Sequence, residues 1–195
     1  MKKTELLCPA GNFEMLKMAI NAGADAVYLS GVKFGARKYA DNFNNNEIID
    51  AINYAHLYGV RVYITINTLI KDDEIDEFLR FVEFIHKNKV DAVLMQDIGM
   101  INLVRSIFPN LVIHASTQFH NHNKYGLEYL KSIGVKRAVL AREMSLDEIN
   151  KIDVDIEKEI FIHGALCISY SGQCLMSSMI MKRSGKRGEC AGLCR

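Results

Sequence analysis

Residues 22–27, Ala22-Gly23-Ala24-Asp25-Ala26-Val27, end an amphipathic stretch with a glycine and lead directly into an apolar run. The same order recurs in Tyr58-Gly59-Val60-Arg61-Val62 and in Ile133-Gly134-Val135, and Lys89-Val90-Asp91-Ala92-Val93 repeats it without the glycine. A glycine just past a helix supplies the left-handed C-cap, so each repeat predicts a helix followed by a buried strand.

Extending this pattern in both directions predicts strands that alternate with helices along the chain. The strands are Glu5–Cys8, Ala26–Leu29, Arg61–Asn67, Ala92–Gln96, Val112–Ala115, Arg137–Ala141 and Glu159–His163. The helices are Phe13–Ala22, Asn46–Tyr58, Glu74–Asn88, Met100–Phe108, Lys124–Ile133 and Leu146–Ile152. Strict alternation predicts parallel βαβ units.

The turn after the first strand helps to decide between the two folds that βαβ units form, a doubly wound sheet and a barrel. A doubly wound sheet usually has a glycine-rich phosphate turn after its first strand, and residues 9–12, Pro-Ala-Gly-Asn, lack it. We therefore favour a (β/α) TIM-type barrel with about seven parallel strands. A complete barrel of this type has eight strands, so we expect an incomplete barrel in a truncated chain. Residues 1–166 would form the barrel, and residues 167–195 a cysteine-rich segment.

The composition excludes few functions. The 24 lysines and arginines nearly balance the 23 aspartates and glutamates, so net charge favours neither nucleic acid nor membrane as a partner. No apolar run approaches the length of a membrane span, and the N-terminus lacks the apolar region of a signal peptide. We expect a cytoplasmic protein.

Polar side chains follow most of the predicted strands, where the active sites of barrel enzymes lie. Arg142 and Glu143 follow the sixth strand, and His163 closes the seventh. We take these three as candidate catalytic residues. The other polar residues at strand ends are Asn12, Arg37, Asn67, Gln96, Asp97, His114, Ser116, Thr117 and Gln118. Some of them could simply cap helices. His120 and His122 are expected to lie in a solvated loop.

Four of the five cysteines crowd together, with the spacing Cys167-x6-Cys174-x15-Cys190-x3-Cys194. Clustered cysteines in a cytosolic chain favour a metal site over disulfides. A zinc ribbon would ordinarily show paired Cys-x2-Cys knuckles, and thiolates suit iron–sulfur clusters equally well. Five basic residues share this segment and could contact an anionic substrate or an RNA phosphate, or could simply be solvated: Lys182, Arg183, Lys186, Arg187 and Arg195.

Several of these stretches together resemble the U32 peptidase family. The most specific is residues 159–177, which contain Gly164-Ala-Leu-Cys167 and Gly172-Gln-Cys174. Leu6-Leu-Cys-Pro-Ala-Gly-Asn12, Ala115-Ser-Thr-Gln118, Leu140-Ala-Arg-Glu143 and Arg187-Gly-Glu-Cys190 resemble the family too. Cys8 departs from the alanine expected in the opening motif. Residues 172–188 look closest to the branch that hydroxylates ribosomal RNA cytidine.

The resemblance implies two alternative functions, and the residues leave a third open. Some members are oxygen-independent hydroxylases of tRNA uridine or ribosomal RNA cytidine that use a [4Fe–4S] cluster and prephenate. Cys167, Cys174 and Cys190 would then be cluster ligands, with the fourth at Cys194 or beyond Arg195. Zinc is less expected. The family name instead implies a peptidase, including collagenase-like members, although the sequence has no His-Glu-x-x-His helix or Gly-x-Ser-x-Gly elbow. The third alternative is a non-catalytic barrel that binds RNA or a partner and uses the cluster structurally.

Overall fold

The computed structural model describes residues 4–194; residues 1–3 and Arg195, the last of the five basic residues above, lie outside the described part. Strands and helices alternate as predicted. The strands are β1 Leu7–Pro9, β2 Ala26–Ser30, β3 Arg61–Thr65, β4 Ala92–Met95, β5 Ile113–Ala115, β6 Arg137–Val139 and β7 Glu157–Glu159. The helices are α1 Phe13–Asn21, α2 Asn45–Leu57, α3 Ile75–Lys87, α4 Ile98–Ile107, α5 Lys124–Ser132, α6 Leu146–Asn150 and α7 Met176–Met181.

The strands form one parallel sheet whose spatial order is their order along the chain, β1 to β7. Each strand pairs with the next in parallel register, as in Tyr28 with Tyr63 and Leu94 with His114. A sheet in this order with a helix after each strand is the arrangement of a (β/α) barrel, and it lacks the strand-order reversal of a doubly wound sheet. The predicted fold class, an incomplete α/β barrel, is therefore confirmed.

Alternation along each strand divides the core into two layers. Val27, Val62 and Val93 face the helices and belong to the larger apolar cluster, which the helices cover. Ala26, Tyr63 and Leu94 face the barrel interior and belong to a smaller cluster. Because both faces of the strands are buried, they form continuous apolar runs rather than alternating ones. Among residues 4–194, no helix has the length and apolar character needed to span a membrane.

Strand β7 differs from its prediction. The apolar run Ile160-Phe161-Ile162 predicts a strand that reaches His163, but β7 ends at Glu159. Its partner β6 pairs as far as Val139 with Glu159, and β6 offers no further strand backbone to pair with. Residues 160–163 therefore leave the sheet, and His163 is exposed in a bend. The predicted position of His163 at a strand end is wrong, whereas its catalytic role stays a prediction.

An ion network occupies the amino-terminal face of the barrel. Arg137, at the start of β6, donates to Glu5 (Nη1 to Oε1, 2.7 Å), to Glu157 (Nη2 to Oε2, 2.8 Å) and to Glu159 (Nη1 to Oε2, 3.4 Å). Glu5 precedes β1, and the other two carboxylates lie on β7. The network therefore connects the first and last strands of the sheet. In barrels this face supports stability rather than chemistry.

Candidate active site at the barrel mouth

The segment from Arg183 to Glu189, which we call the strap, crosses the mouth where the carboxyl ends of the strands lie. Arg187 donates from Nη1 to the Leu69 carbonyl (2.7 Å) and to Glu74 Oε2 (2.8 Å). The hydrogen bonds from Arg187 lower the pKa of Glu74 to about 2. Both partners follow β3, so this ion pair attaches the strap to one rim of the mouth.

A second attachment joins the strap to the loop after β2. The Lys38 amide donates to the Gly188 carbonyl (3.0 Å), and Lys38 Nζ pairs with Glu189 Oε1 (2.6 Å). Gly188 has φ +79°, and a β-carbon there would lie 2.4 Å from the Gly35 carbonyl oxygen. Position 188 therefore admits only glycine while the strap is in place.

Replacing Gly188 with alanine should detach the strap, because the new methyl group overlaps backbone that has no room to move. Gly192→Ala is the matched control: its φ is +67° and nothing lies within 4 Å of the added β-carbon. That control carries only the left-handed backbone penalty of about 1–2 kcal/mol. Under native conditions, trypsin should cleave Gly188→Ala severalfold faster within the strap than Gly192→Ala. Equal cleavage of both variants would show that the strap does not depend on this close approach.

Arg142 and Glu143 meet the cysteine segment at the mouth, but each has a different partner. Glu143 accepts from the Ser171 amide (2.7 Å) and hydroxyl (2.7 Å). Desolvation acts to raise the pKa of Glu143, but these hydrogen bonds outweigh it and the pKa is lowered. The Arg142 guanidinium is 4.0 Å from Glu143 Oε1, and its Nε is buried without a hydrogen-bond partner. Glu143 thus positions the cysteine segment, whereas Arg142 retains an unused donor.

Cys167 interacts with Arg142 of this pair. A hydrogen bond with the Ser169 hydroxyl (Sγ to Oγ, 3.3 Å) lowers the pKa of Cys167, and the Arg142 guanidinium acts in the same direction. A cysteine binds a metal, or acts as a nucleophile, in its thiolate form. The lowered pKa favours the thiolate, so Cys167 is suited to either role.

Cys174 and Cys190 both lie close to Gly185 in the strap. A β-carbon on Gly185 would be 3.7 Å from the Cys174 carbonyl oxygen and 3.8 Å from Cys190 Cβ. The thiols accept hydrogen bonds from nearby amides, Cys174 from Met176 (3.3 Å) and Cys190 from Gly192 (3.4 Å). Cys194 is exposed.

These thiols are the kind of ligand that an iron–sulfur cluster takes, but they are not close enough together to bind one. Within residues 4–194, no three His, Cys, Asp or Glu side chains are grouped closely enough to hold a metal ion. Cys167, Cys174 and Cys190 are therefore not assembled into a ligand shell, and metal binding by them stays a prediction.

A cleft of about 240 Å³ opens beside the strap. Its lining residues are Leu69, Gln96, Ile98, Gln118, Phe119, His120, Gln173 and Lys186. Lys186 Nζ and His120 Nε2 are both buried and make no hydrogen bond. Burial lowers the pKa of Lys186, and burial together with the nearby Lys186 ammonium lowers the pKa of His120. The His120 ring stacks on Tyr170, 6.0 Å between centroids.

The cleft contains the residues that sequence reasoning missed. The expectation of a solvated loop is wrong for His120, which is partly buried and has φ +64°. Lys186 is not a solvated lysine, since its ammonium is enclosed. The motif Arg187-Gly-Glu-Cys190 could have indicated a fixed strap, but nothing local to residue 186 indicates burial.

Several other polar residues at strand ends have structural roles. Asn12 caps α1 and Asp97 caps α4, each through its side-chain oxygen. Ser116 caps a short 3₁₀ turn and accepts from Asn67 Nδ2 (3.3 Å). His114 lies in the barrel interior against Tyr63, where burial and the positive charge of Arg137 lower its pKa to about 3. Asn12, Asp97 and Ser116 thus support the mouth, whereas His114 lies beside Arg137 of the ion network.

The fold and this mouth define a (β/α)-barrel protein with its polar site at the carboxyl ends of the strands. Residues 11–195 match the model of Peptidase family U32, so the chain belongs to that family. A solved U32 peptidase superposes with a TM-score of 0.68 at 12% identity, covering 82% of this chain and 70% of the other, which supports the fold. The predicted family is confirmed.

Two curated relatives match the chain throughout. The tRNA hydroxylation protein P1 of Bacillus subtilis is 40% identical over all of this chain and 46% of its own length. The 23S rRNA 5-hydroxycytidine C2501 synthase of Escherichia coli is also 40% identical, over 99% of this chain and 29% of its own length. The chain thus spans less than half of either relative. The two are equally identical to it, so identity favours neither RNA.

Proposed function

We propose that the chain is part of an oxygen-independent hydroxylase that acts on a pyrimidine in RNA, either a tRNA uridine or a ribosomal RNA cytidine. The observation that carries this proposal is 40% identity across the whole chain to two relatives that are both named for RNA hydroxylation. That identity includes the barrel and the cysteine segment together. The proposal places the protein in the cytoplasm, with its RNA substrate.

The proposal assigns Cys167, Cys174 and Cys190 to a [4Fe–4S] cluster, with Cys194 or a residue beyond Arg195 as the fourth ligand. Three features support this assignment. Thiolates are the usual ligands of such clusters. Cys174 and Cys190 already lie close to the same glycine of the strap, Gly185, and the pKa of Cys167 is lowered. Because the thiols are not yet assembled, the proposal includes closure of this segment around the cluster. A bound cluster would supply the redox chemistry of the reaction.

The residues of the mouth would bind and orient the substrates. Prephenate, the proposed co-substrate, is a dicarboxylate and needs cationic partners. Arg142 has a buried donor without a partner, and a guanidinium can bind a carboxylate through two parallel hydrogen bonds. The same site is at the end of β6, beside Cys167. Arg142 is therefore suited to hold one carboxylate near the cluster.

A peptidase is the second candidate, because the family carries that name. A serine or cysteine nucleophile requires an adjacent base, usually histidine. Among residues 4–194, two histidine rings make hydrogen bonds: His56 to Asp91, and His122 to the His120 carbonyl. His120 Nε2 and His114 Nδ1 have no partner. Within this described part of the chain, no histidine ring hydrogen-bonds to a serine or cysteine side chain, and the Ser171 hydroxyl pairs with the Glu143 carboxylate instead. These residues do not form the histidine-activated nucleophile usual in such peptidases, so we favour the hydroxylase.

The test is nucleoside mass spectrometry of RNA from cells that lack the gene. We expect one hydroxylated pyrimidine nucleoside to disappear from tRNA or ribosomal RNA, and to return with the wild-type gene. A third alternative, a non-catalytic barrel that binds RNA and uses the cluster structurally, would leave an Arg142→Ala variant with full iron content able to restore the nucleoside. Unchanged nucleosides, together with peptide cleavage by the purified protein, would favour the peptidase.

A further inference from the structure

The cleft beside the strap contains a buried positive charge that no acidic lining residue balances. Lys186 Nζ makes no hydrogen bond, and none of the described lining residues is an aspartate or glutamate. An unpaired ammonium inside a protein is strongly unfavourable because it loses its hydration shell without gaining a partner. Such a group is retained at functional sites, where a ligand completes it.

Hydrogen bonds fix the strap backbone at Lys186. The Lys186 carbonyl accepts from the Leu69 amide (3.4 Å) and from Gln96 Nε2 (3.4 Å). Arg187 next to it forms the ion pair with Glu74. The backbone is therefore fixed at residue 186 and at the residue after it, and the ammonium that it carries is enclosed.

The walls of the cleft indicate what kind of anion it would take. Leu69, Ile98 and Phe119 supply apolar surface, whereas Gln118 and Gln173 supply amide donors and acceptors. The volume of about 240 Å³ is close to that of the smallest pockets that bind small molecules, about 300 Å³. These apolar walls match the carbon skeleton of a small organic acid, whereas inorganic phosphate has no apolar surface to place against them.

We propose that Lys186 anchors the carboxylate of a small organic acid in this cleft, with the acid's carbon skeleton against Leu69 and Phe119. His120 Nε2, also buried without a partner, faces the same ligand as a second polar contact. Identifying this acid with the prephenate co-substrate rests on the proposed function, whereas the carboxylate chemistry rests on the cleft.

The test compares Lys186→Met, which removes the charge but keeps the length of the side chain, with Lys182→Met on the neighbouring exposed lysine. Without ligand, Lys186→Met should melt about 2–4 °C higher than wild type, because it removes a buried unpaired charge. Lys182→Met should melt like wild type. A lower melting temperature for Lys186→Met would show that Lys186 has a structural partner, and it would overturn the proposal.

Calorimetric titration with prephenate, phenylpyruvate, inorganic phosphate and a short RNA gives the second readout. Wild type and Lys182→Met should bind at least one of the two organic acids, and Lys186→Met should bind it at least tenfold more weakly at unchanged iron content. Binding of phosphate or RNA alone, or organic-acid binding that is insensitive to Lys186→Met, would overturn the proposal. Phenylpyruvate binding without loss of any nucleoside in gene-deleted cells would instead count against the hydroxylase and leave the cleft assignment standing.

Discussion

Replacing Cys174 with serine should remove the iron–sulfur cluster from the protein. Purified without oxygen, the wild type is expected to carry about four irons per chain and the visible colour of an iron–sulfur cluster. Cys174→Ser should lose most of both, and Cys167→Ser should do the same, because a serine hydroxyl is a poor, hard ligand for iron in such a cluster.

Cys8→Ser is the matched control for the cluster ligands. Cys8 lies on β1, partly buried, and packs against the main apolar cluster. Cys8 is a free cysteine outside the 167–194 segment. The iron content of the Cys8→Ser variant should therefore equal that of the wild type. Full iron in both Cys167→Ser and Cys174→Ser would refute the ligand assignment. One colourless zinc per wild-type chain would point to a structural metal site instead.

Replacing Arg137 with methionine should destabilise the barrel by about 3–5 kcal/mol, the cost of removing one partner from a buried ion network. The Arg137 side chain is 9% exposed, and Glu5 and Glu159 are 14% and 17% exposed. Without the guanidinium, three carboxylates would face each other across β1 and β7. Chemical denaturation measures the loss, with Arg61→Met as the control, since Arg61 also pairs with Glu5 but is half exposed. We expect a loss below about 1 kcal/mol there.

The loss of stability caused by Arg137→Met should depend on pH in one direction. Burial already raises the pKa of Glu159 in the wild type, and loss of Arg137 removes the charge that opposes this effect. A carboxyl with a raised folded pKa takes up a proton more readily in the folded state, so its repulsion is relieved as the pH falls. The stability gap between Arg137→Met and wild type should therefore shrink from pH 7 towards about pH 4. A gap that is constant across this range would indicate lost packing rather than lost charge pairing.

The sequence allowed most of the fold to be predicted because its signals are local. The glycines at 23, 59 and 134 have positive φ and follow helices, as the repeats indicate. β7 was misplaced because pairing depends on the neighbouring strand: Phe161 and Ile162 have strand-like chemistry but are 49% and 81% exposed. An apolar run cannot by itself indicate where its partner strand ends.

The candidate site could be predicted only in part, for the same reason. Arg142 and Glu143 do lie at the mouth after β6, as their position in the repeat predicts. The bonds from Ser171 to Glu143 span 28 residues, and the contact between Lys186 and Gln96 spans 90. Such contacts decide which polar groups are buried, and they have no signature in spacing. Lys186 and its neighbour Arg187 look alike in sequence, although one is enclosed and the other is paired with Glu74.

Reconstitution tests the central claim most directly. RNA from cells lacking the gene is incubated without oxygen with the purified protein and prephenate, and its nucleosides are measured by mass spectrometry. We predict that wild-type protein forms a hydroxylated pyrimidine at one position, and that Cys174→Ser at equal concentration forms none. RNA that stays unmodified in the presence of wild-type protein with its full complement of iron would contradict the account.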